Sequence, residues 1–151
     1  MIEYHLKVHR DGESFWGEFP DLAGCFTDGA TREELTGNAR EALTGWITSV
    51  VERGSSLGGK SKKIPKPAFR GRGSIPVALP LAMGVALQLR WIRESRHLSQ
   101  QEVARRLSIS YQAYQRFEHP AKANPNLKTL EKLSNIYQVP PEKLLSGPLA
   151  Y

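Results

Sequence analysis

Tyr111, Gln112, Gln115 and Arg116 put a phenol, two carboxamides and a guanidinium on the outward side of one short predicted helix. Those groups match the donor and acceptor pattern of base edges, where glutamine pairs bidentately with adenine and arginine with guanine. Gln100, Arg105, Arg106 and Lys122 are candidates for phosphate oxygens, contacts that set a protein's register on a duplex without reading its sequence.

Other residue types with chemical potential lead less far. Asp11, Asp21 and Asp28 are the aspartates of the first part of the chain and candidates by type, since a two-metal nuclease needs several carboxylates converging on ions about 4 Å apart. All three fall in predicted turns or loop edges, where aspartate serves backbone hydrogen bonding, so no catalytic residue is expected. His5 and His9 share one side of a predicted strand but stand roughly 13 Å apart, too far to bind one metal. His97 and His119 lie near predicted helix ends, where a cation is favourable. Cys25 is the one cysteine, so neither a disulfide nor a cysteine metal site forms within one chain, and a buried small residue is the expectation. No cofactor and no metal are expected, and the chain reads as a non-enzyme.

The elements that position the outward set are well signalled. Ser99 with Glu102 forms a capping box, and Leu98 with Val103 occupies the positions of a hydrophobic staple. Val103, Ala104 and Leu107 supply the inward face, and the small Ala104 permits close helix crossing. Ser108-Ile109-Ser110 makes the turn, Ser110 caps the next helix, and Tyr114 and Phe117 point inward from it. Two short helices across a three-residue turn present the second to a DNA groove. Asn126 caps a later helix whose Leu127, Leu130, Leu133, Ile136 and Tyr137 form one apolar stripe, and Pro141 opens a last short helix.

This segment resembles the helix-turn-helix of the Xre and lambda-repressor class over about 81–145. Leu89, Ile92 and Arg93 match the class's first helix, and Asn124-Pro125-Asn126-Leu127-Lys128-Thr129-Leu130 the start of its fourth. The class often uses the glutamine at the position of Gln100 to hold a phosphate. Two positions depart from the pattern: Ser108, where glycine is common, and Tyr114, where an aliphatic residue is expected. An all-α unit of five helices follows, and one half-site per copy implies a homodimer or homotetramer on two-fold operator DNA.

Charge divides the 151 residues. Residues 1–53 carry 5 Lys and Arg against 10 Asp and Glu, residues 54–80 carry 6 against 0, and residues 81–151 carry 10 against 5. An acidic front repels DNA, whereas a basic connector and basic back half attract phosphate. The connector, rich in Gly, Ser, Pro and Lys, reads as a basic irregular segment over 54–72, and a short strand near Gly73–Ala78 is expected to join the first sheet. The expected domains are therefore 1–79 and 80–151.

The first domain reads as α+β. Glu3–Val8 alternates as a strand, Arg10-Asp11-Gly12-Glu13 turns, Phe15–Phe19 returns, and Cys25–Gly29 makes a third strand. Thr31 and Glu34 then form a capping box for a helix whose broad face carries Leu35, Ala39, Ala42, Leu43, Trp46, Ile47 and Val50 and which ends at Gly54. A small antiparallel sheet with one packed helix results.

Here Phe19-Pro20-Asp21-Leu22-Ala23-Gly24-Cys25, Thr27-Asp28-Gly29-Ala30-Thr31 and Asn38-Ala39-Arg40-Glu41-Ala42-Leu43 resemble the HicB antitoxin family, with Ala23 where many members have proline. The resemblance implies a partial ribonuclease-H-like domain that binds and masks a small HicA-like mRNA-cleaving toxin, joined to a domain that represses the operon. Asp21, Leu22, Phe26 and Asp28 are the toxin-binding candidates, although the apolar residues of this stretch serve equally well as the domain's own core. A stand-alone regulator whose first domain senses a small molecule or another protein is the alternative. Nothing resembles a signal peptide or membrane span, and a cytoplasmic location is expected.

Overall fold

The computed structural model describes residues 1–56 and 63–147. It divides into two compact units, one covering Ile2–Leu79 and the second beginning at Pro80.

In the first unit, strands β1 (Glu3–Asp11) and β2 (Ser14–Glu18) form a hairpin closed by Gly12 and Glu13. Gly12 has φ +62° and Glu13 does not share a positive φ, the pattern of a II′ turn, which matches the strand twist. β1 runs three residues past the expected Val8, because the two-residue turn lets Asp11 pair directly with Ser14. β3 (Phe26–Gly29) pairs with β2, and β4 (Ile75–Ala78) pairs with the other side of β1. The sheet order is β3-β2-β1-β4, antiparallel throughout, and β4 is the strand expected near Gly73–Ala78.

Helix α1 (Arg32–Ser56) covers one face of this sheet with Leu35, Ala39, Leu43 and Ile47, one residue per turn, all fully buried. Its start differs slightly from a full capping box. Thr31 Oγ1 accepts from Glu34 N, but the Glu34 carboxylate reaches back to Ala30 N. Gly29 is required at the strand-to-helix corner, since a Cβ there would sit 2.5 Å from the Leu35 backbone nitrogen. The helix does not stop at Gly54. That glycine is buried within the last turn, and the helix continues to Ser56. The irregular segment therefore begins later than residue 54; residues 57–62 of it lie outside the described residues, and 63–71 carry no regular structure.

In the second unit, α2 (Leu81–Ser95), α3 (Gln100–Leu107), α4 (Tyr111–Phe117), α5 (Leu127–Tyr137) and a 3₁₀ turn (Pro141–Leu144) enclose a core that includes Leu89, Ile92, Val103, Leu107, Leu130 and Leu133. The capping box at Ser99 is complete: Glu102 N donates to Ser99 Oγ at 3.1 Å and Ser99 N donates to Glu102 at 3.0 Å. Ser110 and Asn126 cap α4 and α5 by accepting from Ala113 N and Thr129 N. Ser108 takes the left-handed conformation at φ +57°, the one glycine usually fills at this turn. The apolar stripe of α5 is shorter than its sequence implies. Leu127, at the first helical position, is 82% exposed, while Leu130, Leu133 and Tyr137 are buried.

Candidate nucleic-acid interface and partner-facing surface

The position of α4 is set by a buried polar cluster centred on Glu118, a 2% exposed residue at that helix's C-cap. The Arg93 guanidinium, on α2, donates Nε to one Glu118 oxygen at 2.6 Å and Nη2 to the other at 3.0 Å. Gln100, at the start of α3, donates its amide to Glu118 at 2.6 Å, and the Tyr114 hydroxyl donates at 2.8 Å. Tyr114 also shares a 2.6 Å hydrogen bond with the hydroxyl of Tyr137 on α5. Three helices thus meet at one carboxylate and α5 joins them through Tyr114, while two parallel bonds from a planar guanidinium fix both distance and angle.

This cluster accounts for the aromatic residue at position 114. A phenol carries the hydrogen bond from the carboxylate across to α5, which an aliphatic side chain would leave unmade. Burial, then the negative charge of Glu118, hold the Tyr114 hydroxyl well above the usual phenol range. Burial disfavours the Arg93 charge, but the hydrogen bond and charge of Glu118 outweigh it and leave the guanidinium above its ordinary value.

With Tyr114 and Phe117 turned inward, Tyr111, Gln112 and Arg116 are exposed and Gln115 is half-buried. Arg105 and Arg106 are exposed at the end of α3, and Lys122 is exposed between α4 and α5. Gln100 is partly committed inside the protein, although its amide nitrogen carries a second hydrogen.

The first unit rearranges the residues expected there. Leu22 is fully buried, so it belongs to the core and offers no surface to a partner; the Pro20–Gly24 loop folds inward because Leu22 N bonds to Phe19 O and Cys25 N to Leu22 O. Asp21 turns its carboxylate to the backbone, accepting from Ala68 N at 2.9 Å and from Phe69 N at 3.0 Å. It pins the segment that leads to β4, helped by Tyr4, whose hydroxyl donates to Pro65 O at 2.6 Å. Asp28 is exposed, and Phe26 is 68% exposed. Together with Thr27 and Trp16, which is 37% exposed, they line a shallow surface pocket. Trp16 was not singled out from sequence, though its outward place in the alternation of β2 marked it.

The remaining candidates are dispersed. Asp11 pairs with Ser14 at the hairpin end. His5 Nδ1 lies 2.8 Å from Ser74 Oγ, and His9 stacks on Trp16 with ring centroids 4.0 Å apart. His119 Nδ1 accepts from Ala121 N, and His97 occupies a left-handed position. Among the described residues, no three or more His, Cys, Asp or Glu side chains are placed to hold one metal ion. Burial pushes the Cys25 thiol up to about 11, and its sulfur donates toward Ala42 O.

Comparison with known proteins follows the same division. Residues 4–71 match the family described as HicB-like antitoxin of bacterial toxin-antitoxin systems, and residues 89–144 match a helix-turn-helix family. The chain is 47% identical over 60 residues to the SPbeta prophage-derived uncharacterized HTH-type transcriptional regulator YonR of Bacillus subtilis (strain 168). That match covers 40% of this chain and 55% of the relative, so the chain spans about half the length of the curated protein it matches. No helix among the described residues is long and apolar enough to cross a membrane. The chain is therefore similar to HicB-like antitoxins over its first unit and to helix-turn-helix proteins over its second.

Proposed function

We propose that this protein binds and neutralises a HicA-like mRNA-cleaving toxin through residues 1–79 and represses its own operon through residues 80–151. The observation that carries this reading is the presence, in one chain, of a HicB-like match and a helix-turn-helix match on separate compact units. An antitoxin of this make-up masks its toxin by covering a surface, without chemistry of its own. The acidic excess of residues 1–53 suits a basic, RNA-binding partner, since complementary fields speed encounter.

On DNA, Tyr111, Gln112, Gln115 and Arg116 are the base-reading residues of this proposal, and Gln100, Arg105, Arg106 and Lys122 the phosphate contacts. A homodimer or homotetramer supplies the second recognition helix for a two-fold operator.

The test is to purify the full chain, offer it the product of the neighbouring short gene, and score co-purification together with a footprint on the DNA upstream of its own gene. A stable complex and a symmetric footprint support both roles. A footprint without a complex leaves a regulator whose first unit senses something else, which is how a relative named as a transcriptional regulator would read.

A further inference from the structure

The outer face of the first unit's sheet, at the β3 edge, has an arrangement that the fold does not need. Gly29 points toward α1 and Gly17 toward Leu6, so alternation sends Trp16, Glu18, Phe26 and Asp28 to the opposite face. The register sets Trp16 across from Asp28 and Glu18 across from Phe26. Each exposed aromatic ring thus faces a carboxylate on the neighbouring strand, with the side chains of directly opposed residues beginning about 5 Å apart. The indole is braced from the other side by His9, stacked at 4.0 Å and 14°, whose Nε2 also lies 3.3 Å from a Glu18 oxygen, which leaves Asp28 as the carboxylate for an incoming cation. β3 is also an end strand of the sheet, with β2 its one strand partner among the described residues.

We infer that this aromatic and carboxylate checkerboard is the docking point for an arginine or lysine side chain projecting from the toxin, an inference that rests on the antitoxin reading. A guanidinium lies over an aromatic face and pairs with a carboxylate at the same time, and the pocket bounded by Trp16, Phe26, Thr27 and Asp28 offers both partners. The fold has no use for a ring as exposed as Phe26, whereas interfaces draw their binding energy from aromatic anchors near charged groups. The charge of the surroundings selects the partner: residues 1–53 hold 10 acidic against 5 basic residues, which favours a basic protein over a nucleic acid.

The experiment measures affinity of the full chain for the neighbouring gene's product by calorimetry, at two salt concentrations, for wild type, Phe26→Ser, Phe26→Leu and Asp28→Asn. The expected result is a loss of about 10-fold or more for Phe26→Ser, a smaller loss for Phe26→Leu, and for Asp28→Asn a loss that shrinks at high salt. Asp28→Asn is nearly isosteric at an exposed position, so it keeps the test decisive even where a Phe26 variant melts at lower temperature. Wild-type binding with all three variants within about twofold of it overturns this inference and leaves the antitoxin reading standing. Failure of the wild type to bind overturns both. Variants that change the oligomeric state while keeping toxin affinity assign the face to a second copy of the chain and overturn the inference.

Discussion

Arg93 and Glu118 stand 25 residues apart in sequence and form a two-point ion pair, at 2.6 and 3.0 Å, that joins α2 to the end of α4. The pair is buried, so its desolvation offsets much of its attraction, and its role is to fix geometry more than to add stability.

Removing one partner is a different matter. Arg93→Met leaves the Glu118 carboxylate buried opposite no cation, a change expected to destabilise the second unit by about 3–5 kcal/mol. Urea unfolding followed by hydrogen exchange at α4 amides checks this. Exchange in the first unit, 2–79, is expected to stay unchanged.

Tyr114→Phe deletes the hydroxyl between Glu118 and Tyr137 and is expected to cost about 1–3 kcal/mol. The double variant with Tyr137→Phe is expected to cost less than the sum of the singles, because the second removal takes away a group the first had left without its partner. A double-mutant cycle measures that coupling.

The same two phenols give a pH dependence. Burial is the first cause that raises both above their ordinary value near 10, so the folded state holds their protons more tightly than the unfolded chain. Their contribution to stability is complete below pH 10 and is lost as pH rises from there toward the folded values. Wild-type protein should lose stability on that alkaline limb, and the double phenylalanine variant should lose less of it, as read by thermal melts across pH 9–12.

Asp21→Asn weakens the grip on Ala68 and Phe69, since charged acceptors make bonds worth about 1.5–3 kcal/mol. Hydrogen exchange at those two amides is expected to accelerate before any global loss of structure. Unchanged protection there would contradict the clamp.

On operator DNA, Gln112→Ala or Gln115→Ala is expected to cost about 1–3 kcal/mol and relax preference at one position, whereas Arg105→Ala, Arg106→Ala or Lys122→Ala should weaken all sequences alike and lower the salt slope by about 1. Binding-site selection at two salt concentrations separates the two classes.

What was legible in the sequence was local. The caps at Ser99, Ser110 and Asn126 involve partners three residues on, and each is present. Strand alternation and the helical stripe from Leu35 to Ile47 announced the first unit's layers in the same way. What stayed hidden depended on chain segments far apart. Glu118 draws on Arg93, Gln100 and Tyr114, and nothing adjacent to it signals that a glutamate would be buried. Asp21 is expected from sequence to serve backbone hydrogen bonding, but the amides that it holds lie 47 and 48 residues later, where no local signal points. The sequence leaves Leu22 equally placed as a partner contact or as core, and the loop folds it into the core.

The most direct test of the proposed function is a titration of the full chain into the product of the neighbouring short gene while any RNA cleavage by that product is followed. The account predicts that cleavage falls to background at a fixed stoichiometric ratio and that heat-denatured protein has no effect. Cleavage that continues undiminished at a large excess of folded protein would contradict it.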